Sequence, residues 1–248
     1  MISEAKLRWG FLSAFELKIL ACLFMLIDHV GVVLLPQYEW MRIVGRLSYP
    51  LFAFFIAEGC RYTKNKRRRF LSVFVLGVIC EIVFVVSQGM YIGNILLTFS
   101  ISILLIYLLQ YAKKEYLVNT KNGALLFALF AVSVVLTFVF CRYVGVEYGF
   151  FGVMTPVFVT LFDDVSKDSA NEYKNKSKRL VSCLSFSVSL LMMSLLNPPL
   201  GSIQMWCLLS VLLVLFYNGQ KGRYSFKYGF YLFYPIHILM IQGIYVLM

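Results

Sequence analysis

The chain has 248 residues, of which 60% are hydrophobic and only 14% charged, where a soluble domain carries about 25% charged residues. That leaves too little polar surface to cover a water-soluble globule, and a mean hydropathy of +0.80 means that lipid solvates most of the chain. The formal charge of +11 then reads as Lys and Arg gathered in cytoplasmic loops, not as a surface for nucleic acid.

Lipid offers the backbone no hydrogen bonds, so spanning segments must be helices or a closed barrel. The apolar runs are long and continuous, without the alternation of a barrel's strands of about 10 residues. In chain order they cover residues 17–35, 44–62, 70–88, 94–111, 123–141, 147–162, 180–196, 203–217 and 228–247. Pro36, Gly89, Gly93, Gly123, Gly145, the run Asn197–Gly201 and Asn218-Gly219 punctuate them, as turn chemistry requires. The expected fold is all-α: a polytopic membrane bundle of about nine transmembrane helices. It forms one domain over residues 1–248 in the plasma membrane, with no internal repeat.

The opening stretch is mixed and amphipathic and lacks a cleaved signal's small-residue site. A cytoplasmic N-terminus puts Lys6, Arg8, the basic runs at 61–69, 113–121 and 167–179, and Lys221, Arg223 and Lys227 on the inside. Only Arg42, Arg46 and Arg142 then fall outside, the alternation that the positive-inside rule demands. The segment 147–162 is short and broken by Gly149, Gly152 and Pro156, a pattern shared by re-entrant segments. The charge alternation nevertheless keeps it as a span, which leaves the C-terminus outside. Residues 163–179 read as a polar, solvated loop.

The six cysteines have neither CxxC nor metal-ligand spacing and mostly sit in apolar runs, so neither a disulfide framework nor a metal site is expected. Ionisable groups inside spans are another matter, because each costs about 2.5–3.5 kcal/mol at a helix centre. Here they are Asp28, His29, Arg46, Glu58, Glu81 and His237, and they include both histidines of the chain. An active site and a transport pathway explain them equally at this point.

Lys18 and His29 are eleven residues apart, about three turns and roughly 16 Å along one helix face. Lys18 would stand at the cytoplasmic boundary and His29 deep in the bilayer, a geometry suited to a long ligand with an anionic head and a reactive tip, such as an acyl-coenzyme A. A snorkelling anchor is the plainer role for Lys18 alone, and a helix-packing hydrogen bond competes for His29. Arg42 and Arg46 share a face near the outer surface, and Glu58 and Arg61 have the spacing of an intrahelical ion pair. The cluster from Arg61 to Arg69, including Arg67 and Arg68, suits anionic lipid, with a share for nucleotide phosphates. Tyr231, Tyr234 and His237 follow one another at intervals of three, and Pro235 opens their helix locally.

The runs LKILACLFMLIDHVG, RIVGRLSYPLFAFFIAEGCRYT, ICEIVF, NILLTF, EYGFFGV, LFYNGQKG and KYGFYLFYPIHIL resemble, in order and spacing over nearly the whole chain, the TraX family. That family is associated with N-terminal acetylation of conjugative pilin. The same blocks look like a diverged form of the wider transmembrane acyltransferase superfamily, with Lys18 to His29 in place of its basic residue, ten residues and a histidine. Glu58 departs from that superfamily's Ser, so no role carries over to it.

The resemblance implies an acyl-CoA donor on the cytoplasmic side and an acceptor reached within or across the membrane; the expected reaction moves acetyl from acetyl-CoA to an amine or hydroxyl acceptor, with no metal. The acceptor is open between a pilin or other peptide N-terminus, a glycan and a lipid head group. For thioester chemistry His29 is the first choice as base, followed by His237. Arg46, Tyr234 or His237 could stabilise the oxyanion, with Asp28 and Glu58 completing the polar set and Lys18, Arg61, Arg67, Arg68 and Tyr234 facing the coenzyme. A proton-coupled transporter is the rival class, and a scaffold subunit the second.

Overall fold

The computed structural model describes residues 10–89, 91, 93–163, 176–196, 201–223 and 227–248. Every element among them is helical, apart from an isolated bridge between Leu12 and Tyr217. The chain clusters into two compact units, one formed by residues up to Phe52 together with those from Trp206 onward, the other by Ala53–Met205.

In the first unit, α1 (Ala14–Val33) starts where Ser13 and Glu16 form a reciprocal capping box, which satisfies two of the backbone donors every helix start leaves unpaired. Just before it, Leu12 pairs its amide and carbonyl with Phe216 and Asn218, and Ala14 and Phe15 donate to Gln220 and Lys221. These bonds tie the start of α1 to the stretch that precedes the last helix. A single span was expected over 44–62, and Glu39–Tyr62 is long and apolar enough to cross a membrane, with a short turn at Arg46-Leu47 between α2 (Glu39–Gly45) and α3 (Ser48–Tyr62). Pro50 has no amide to return to the Arg46 carbonyl, so the ladder breaks there and Pro50 sits in the first turn of a new helix, where it is tolerated.

The second unit takes in most of α3, α4 (Lys66–Gln88), α5 (Ile95–Val118), α6 (Thr120–Tyr143), α7 (Gly149–Thr160), α8 (Lys176–Leu196) and α9 (Gly201–Gln204). Asn119 both ends α5 and starts α6: its amide bonds to the Glu115 carbonyl, while its side chain accepts from Lys121 and Asn122. One residue therefore closes a helical hairpin. The helix α5 runs past residue 111, where a break was expected, because Lys113 reaches the carbonyls of Thr160, Leu161 and Asp163 at 2.7–3.1 Å and so caps the end of α7. Serines stitch the helices together: Ser102 donates to Val153 O at 2.7 Å and Ser185 to Phe158 O at 2.6 Å, the kind of polar contact that holds helices where lipid supplies no hydrophobic drive.

Residues 203–217, expected as one span, resolve into α9, a tighter 3-10 turn (Met205–Leu209) and α10 (Ser210–Leu215), followed later by α11 (Lys227–Leu247). Ser210 takes the Cys207 carbonyl at 2.6 Å, a local bond that competes with the α ladder. Residues 176–179, expected in a loop, begin α8; the remainder of that loop from 164 to 175, the first nine residues and the Asn197–Leu200 break lie outside the described residues.

Among the described residues four helical stretches are long and apolar enough to cross a bilayer: Glu39–Tyr62, Lys66–Val86, Ile95–Val118 and Thr120–Tyr143. The helix α1 is as long but carries Glu16, Lys18 and Asp28. With 12 residues, α7 is about 18 Å long, short of the roughly 30 Å hydrocarbon core.

Candidate functional site

Within the first unit, α1 packs against both α2 and α11, and each contact brings together residues far apart in sequence. At the α2 contact the buried Asp28 carboxylate receives Arg46 Nη2 at 2.9 Å on both oxygens and Arg42 Nη1 at 2.9 Å. Two guanidiniums on one carboxylate make a charge-assisted cluster. The close approach depends on Gly45, because a Cβ there would lie 2.2 Å from Asp28 Oδ1. Arg42 and Arg46, expected on one helix face, do share it, and Asp28 is what they share it with. Asp28 thus braces α1 on α2.

At the α11 contact the two histidines meet. His29 Nδ1 lies 2.7 Å from His237 Nε2, with the rings tilted by 31°. His237 Nδ1 lies 2.6 Å from the carbonyl of Phe233, and the Phe233 ring stacks on the imidazole at 4.7 Å and 9°. A carbonyl can only accept, so His237 must carry its proton on Nδ1. When both rings are neutral its Nε2 is therefore the acceptor, and His29 must donate from Nδ1. That order leaves the lone pair of His29 on Nε2, for which no hydrogen-bond partner exists among the described residues. His237 is buried at 3% exposure, whereas His29 is half-buried. The backbone of α11 thus dictates, through His237, which nitrogen of His29 is basic.

Tyr234 is buried one turn before His237, with ring centroids 6.0 Å apart. The side chain of Tyr231, expected in the same stripe, lies outside the described residues. Lys18 is on α1 with His29, as its spacing predicts, and its ammonium lies 5.7 Å from the Phe230 ring centroid, a cation–π distance.

In the second unit the remaining expected residues take other roles. Arg61 bonds Glu58 at 2.8 Å and both oxygens of Asp163 at 2.6 Å, and it also reaches Val159 O and Ser182. The ion pair with Glu58 is the one its spacing predicts. Asp163, Val159 and Ser182 are partners that sequence could not nominate, since they come from α7, α8 and the turn after α7. Glu81 accepts from the amides of Gly93 and Asn94 and from the Asn94 side chain at 2.7–3.0 Å. It is a receptor for the start of α5, which accounts for its place in an apolar helix. Arg67 and Arg68 are exposed at the start of α4. Cysteines are free among the described residues.

Long apolar helices with buried ion pairs and an imidazole pair define an all-helical, membrane-associated protein. A family model described as TraX protein matches residues 13–245, and the chain belongs to the TraX family. It is 28% identical over 243 residues to the probable fimbrial assembly protein FimC, serogroup H1, of Dichelobacter nodosus, covering 92% of this chain and 94% of that one. A shorter match, 42% identical over 66 residues, joins 27% of this chain to 25% of an uncharacterized protein of Rickettsia prowazekii. No solved structure matches.

Proposed function

We propose that this protein is a membrane-embedded acyltransferase that moves an acetyl group from cytoplasmic acetyl-CoA to an amine or hydroxyl acceptor. The observation that carries this reading is the ordered imidazole pair: a half-buried histidine whose Nε2 lone pair is left available by a fixed chain of hydrogen bonds. The neutral acceptor attacks the thioester carbonyl carbon while His29 Nε2 removes its proton, which contributes typically 10²–10⁴-fold. The imidazolium so formed keeps its Nδ1–H on His237, which holds its ring orientation. As the tetrahedral oxyanion collapses, the C–S bond breaks and the coenzyme sulfur leaves with the proton from His29. Tyr234 is the nearest buried hydroxyl-bearing residue on α11 for the oxyanion; Arg46 is engaged by Asp28 and serves the bracing of α2 instead.

Lys18, about 16 Å up the same helix, suits the anionic end of the coenzyme. The FimC relative, whose name concerns fimbrial assembly, favours a pilin or fimbrial subunit N-terminus as acceptor over a glycan or lipid. The topology that goes with this reading is a plasma-membrane protein of about nine crossings, with a cytoplasmic N-terminus. A reporter at residue 170 is then cytoplasmic and one at residue 248 is not.

Purified protein supplied with acetyl-CoA and a subunit peptide should release free CoA and yield acetylated peptide, and His29→Ala should abolish both while melting normally. Normal transfer by His29→Ala would remove the catalytic assignment. Proton-coupled uptake into vesicles without any CoA binding would favour the transporter class.

A further inference from the structure

Two features of α11 fall within one turn of each other: the hydrogen bond that fixes His237 and a proline inside the helix. The bond joins His237 Nδ1 to the carbonyl of Phe233, four positions back, at 2.6 Å. In an unbroken α-helix that carbonyl belongs to the amide of His237 itself. A side chain that takes it competes with the ladder, and such back-bonding goes with a bent helix. The imidazole also stacks on the Phe233 ring at 9°, and the backbone of Tyr234, three positions back, bonds it as well. The ring is therefore folded down over the preceding turn, against two peptide groups and one aromatic face.

Pro235 occupies the middle of that turn. It has no amide for the Tyr231 carbonyl, and its ring crowds that carbonyl, so the ladder is interrupted and the helix bends there. Residue 235 thus supplies the bend that the side-chain bond at 237 needs. In an apolar helix an interrupted ladder is a cost, because lipid offers the freed backbone no partner, and the fixed imidazole is what that cost obtains here.

We infer that Pro235 is a positioning residue: by interrupting α11 it opens the Phe233 carbonyl to His237 and so holds both histidines in the Nδ1–H tautomer. The order runs from the Phe233 carbonyl through His237 Nδ1–H and Nε2 to His29 Nδ1–H, which leaves His29 Nε2 bare. The tautomers belong to the resting protein, and only their service to catalysis rests on the acyltransferase reading.

The test uses the full-length protein in nanodiscs. The chain has two histidines, so nitrogen-15 labelling of histidine gives four ring signals, each assigned through its ring carbons. At a pH where both rings are neutral, the wild type should carry both protons on Nδ1. Pro235→Ala returns an amide to the ladder, and Pro235→Leu does so while keeping bulk at the position. Each should melt no lower than the wild type, since proline is the poorest helix former. Each should also show mixed tautomers and a severalfold lower kcat for acetyl transfer with little change in KM. Rings that stay on Nδ1–H in both variants would overturn the role of Pro235. A tautomer change in only one of the two would assign it to side-chain bulk and overturn the role as well. Mixed tautomers in the wild type would remove the ordered chain itself. The expected tautomer changes without acetyl transfer by the wild type would remove the acyltransferase reading and leave Pro235 in its role.

Discussion

The imidazole pair of the first unit and the Arg61 cluster of the second are both buried polar groups in an apolar chain, yet they end differently. Around Arg61 each guanidinium nitrogen has a partner, and Glu58 and Asp163 supply the opposing charge. The chain of hydrogen bonds from Phe233 through His237 to His29 ends on a ring nitrogen that nothing among the described residues occupies. A saturated cluster holds helices together; a directed chain with an open end can accept a proton. Asp28 with its two arginines belongs to the first kind, although it is the sequence neighbour of His29.

That contrast can be broken or sharpened by substitution. His29→Ala should reduce acetyl transfer by 10²–10⁴-fold with an unchanged melting curve; a large loss of folded protein instead would place His29 with the saturated clusters. Arg61→Ala removes the guanidinium that bridges Glu58 and Asp163, and should lower stability by about 3–5 kcal/mol, read by denaturation in detergent. A selective loss of coenzyme affinity with normal stability would contradict its bracing role. His237→Leu frees the tautomer of His29 and should cost about 10²-fold in kcat with little change in KM. His237→Gln, whose carbonyl can still accept from His29 Nδ1, should recover part of that rate, which simple packing at 237 would not produce.

Gly45→Ala drives a methyl into the Asp28 carboxylate and should destabilise by about 1–3 kcal/mol, the usual cost of overpacking, detected as a lower melting temperature. Ser13→Ala removes the hydroxyl half of the α1 capping box, and its effect should be the smallest, about 1 kcal/mol, in the same melt.

The sequence was enough for the class of protein and for the identity of the suspects. Continuous apolar runs have no stable state in lipid other than helices, so each expected segment has a helical counterpart, and ionisable side chains in such runs stand out by their desolvation cost. Helical periodicity also predicted local partners, Glu58 with Arg61 and Arg42 beside Arg46. What it could not reach were partners 208 and 102 positions apart, His29 with His237 and Arg61 with Asp163. Nor could it foresee the turn at Arg46-Leu47.

Periodicity determines which face of a helix a residue occupies. Only the packing of one helix on another determines what that face meets, and with it whether a buried charge is neutralised, and whether an imidazole, through a backbone carbonyl two side chains away, is left with a nitrogen free to act.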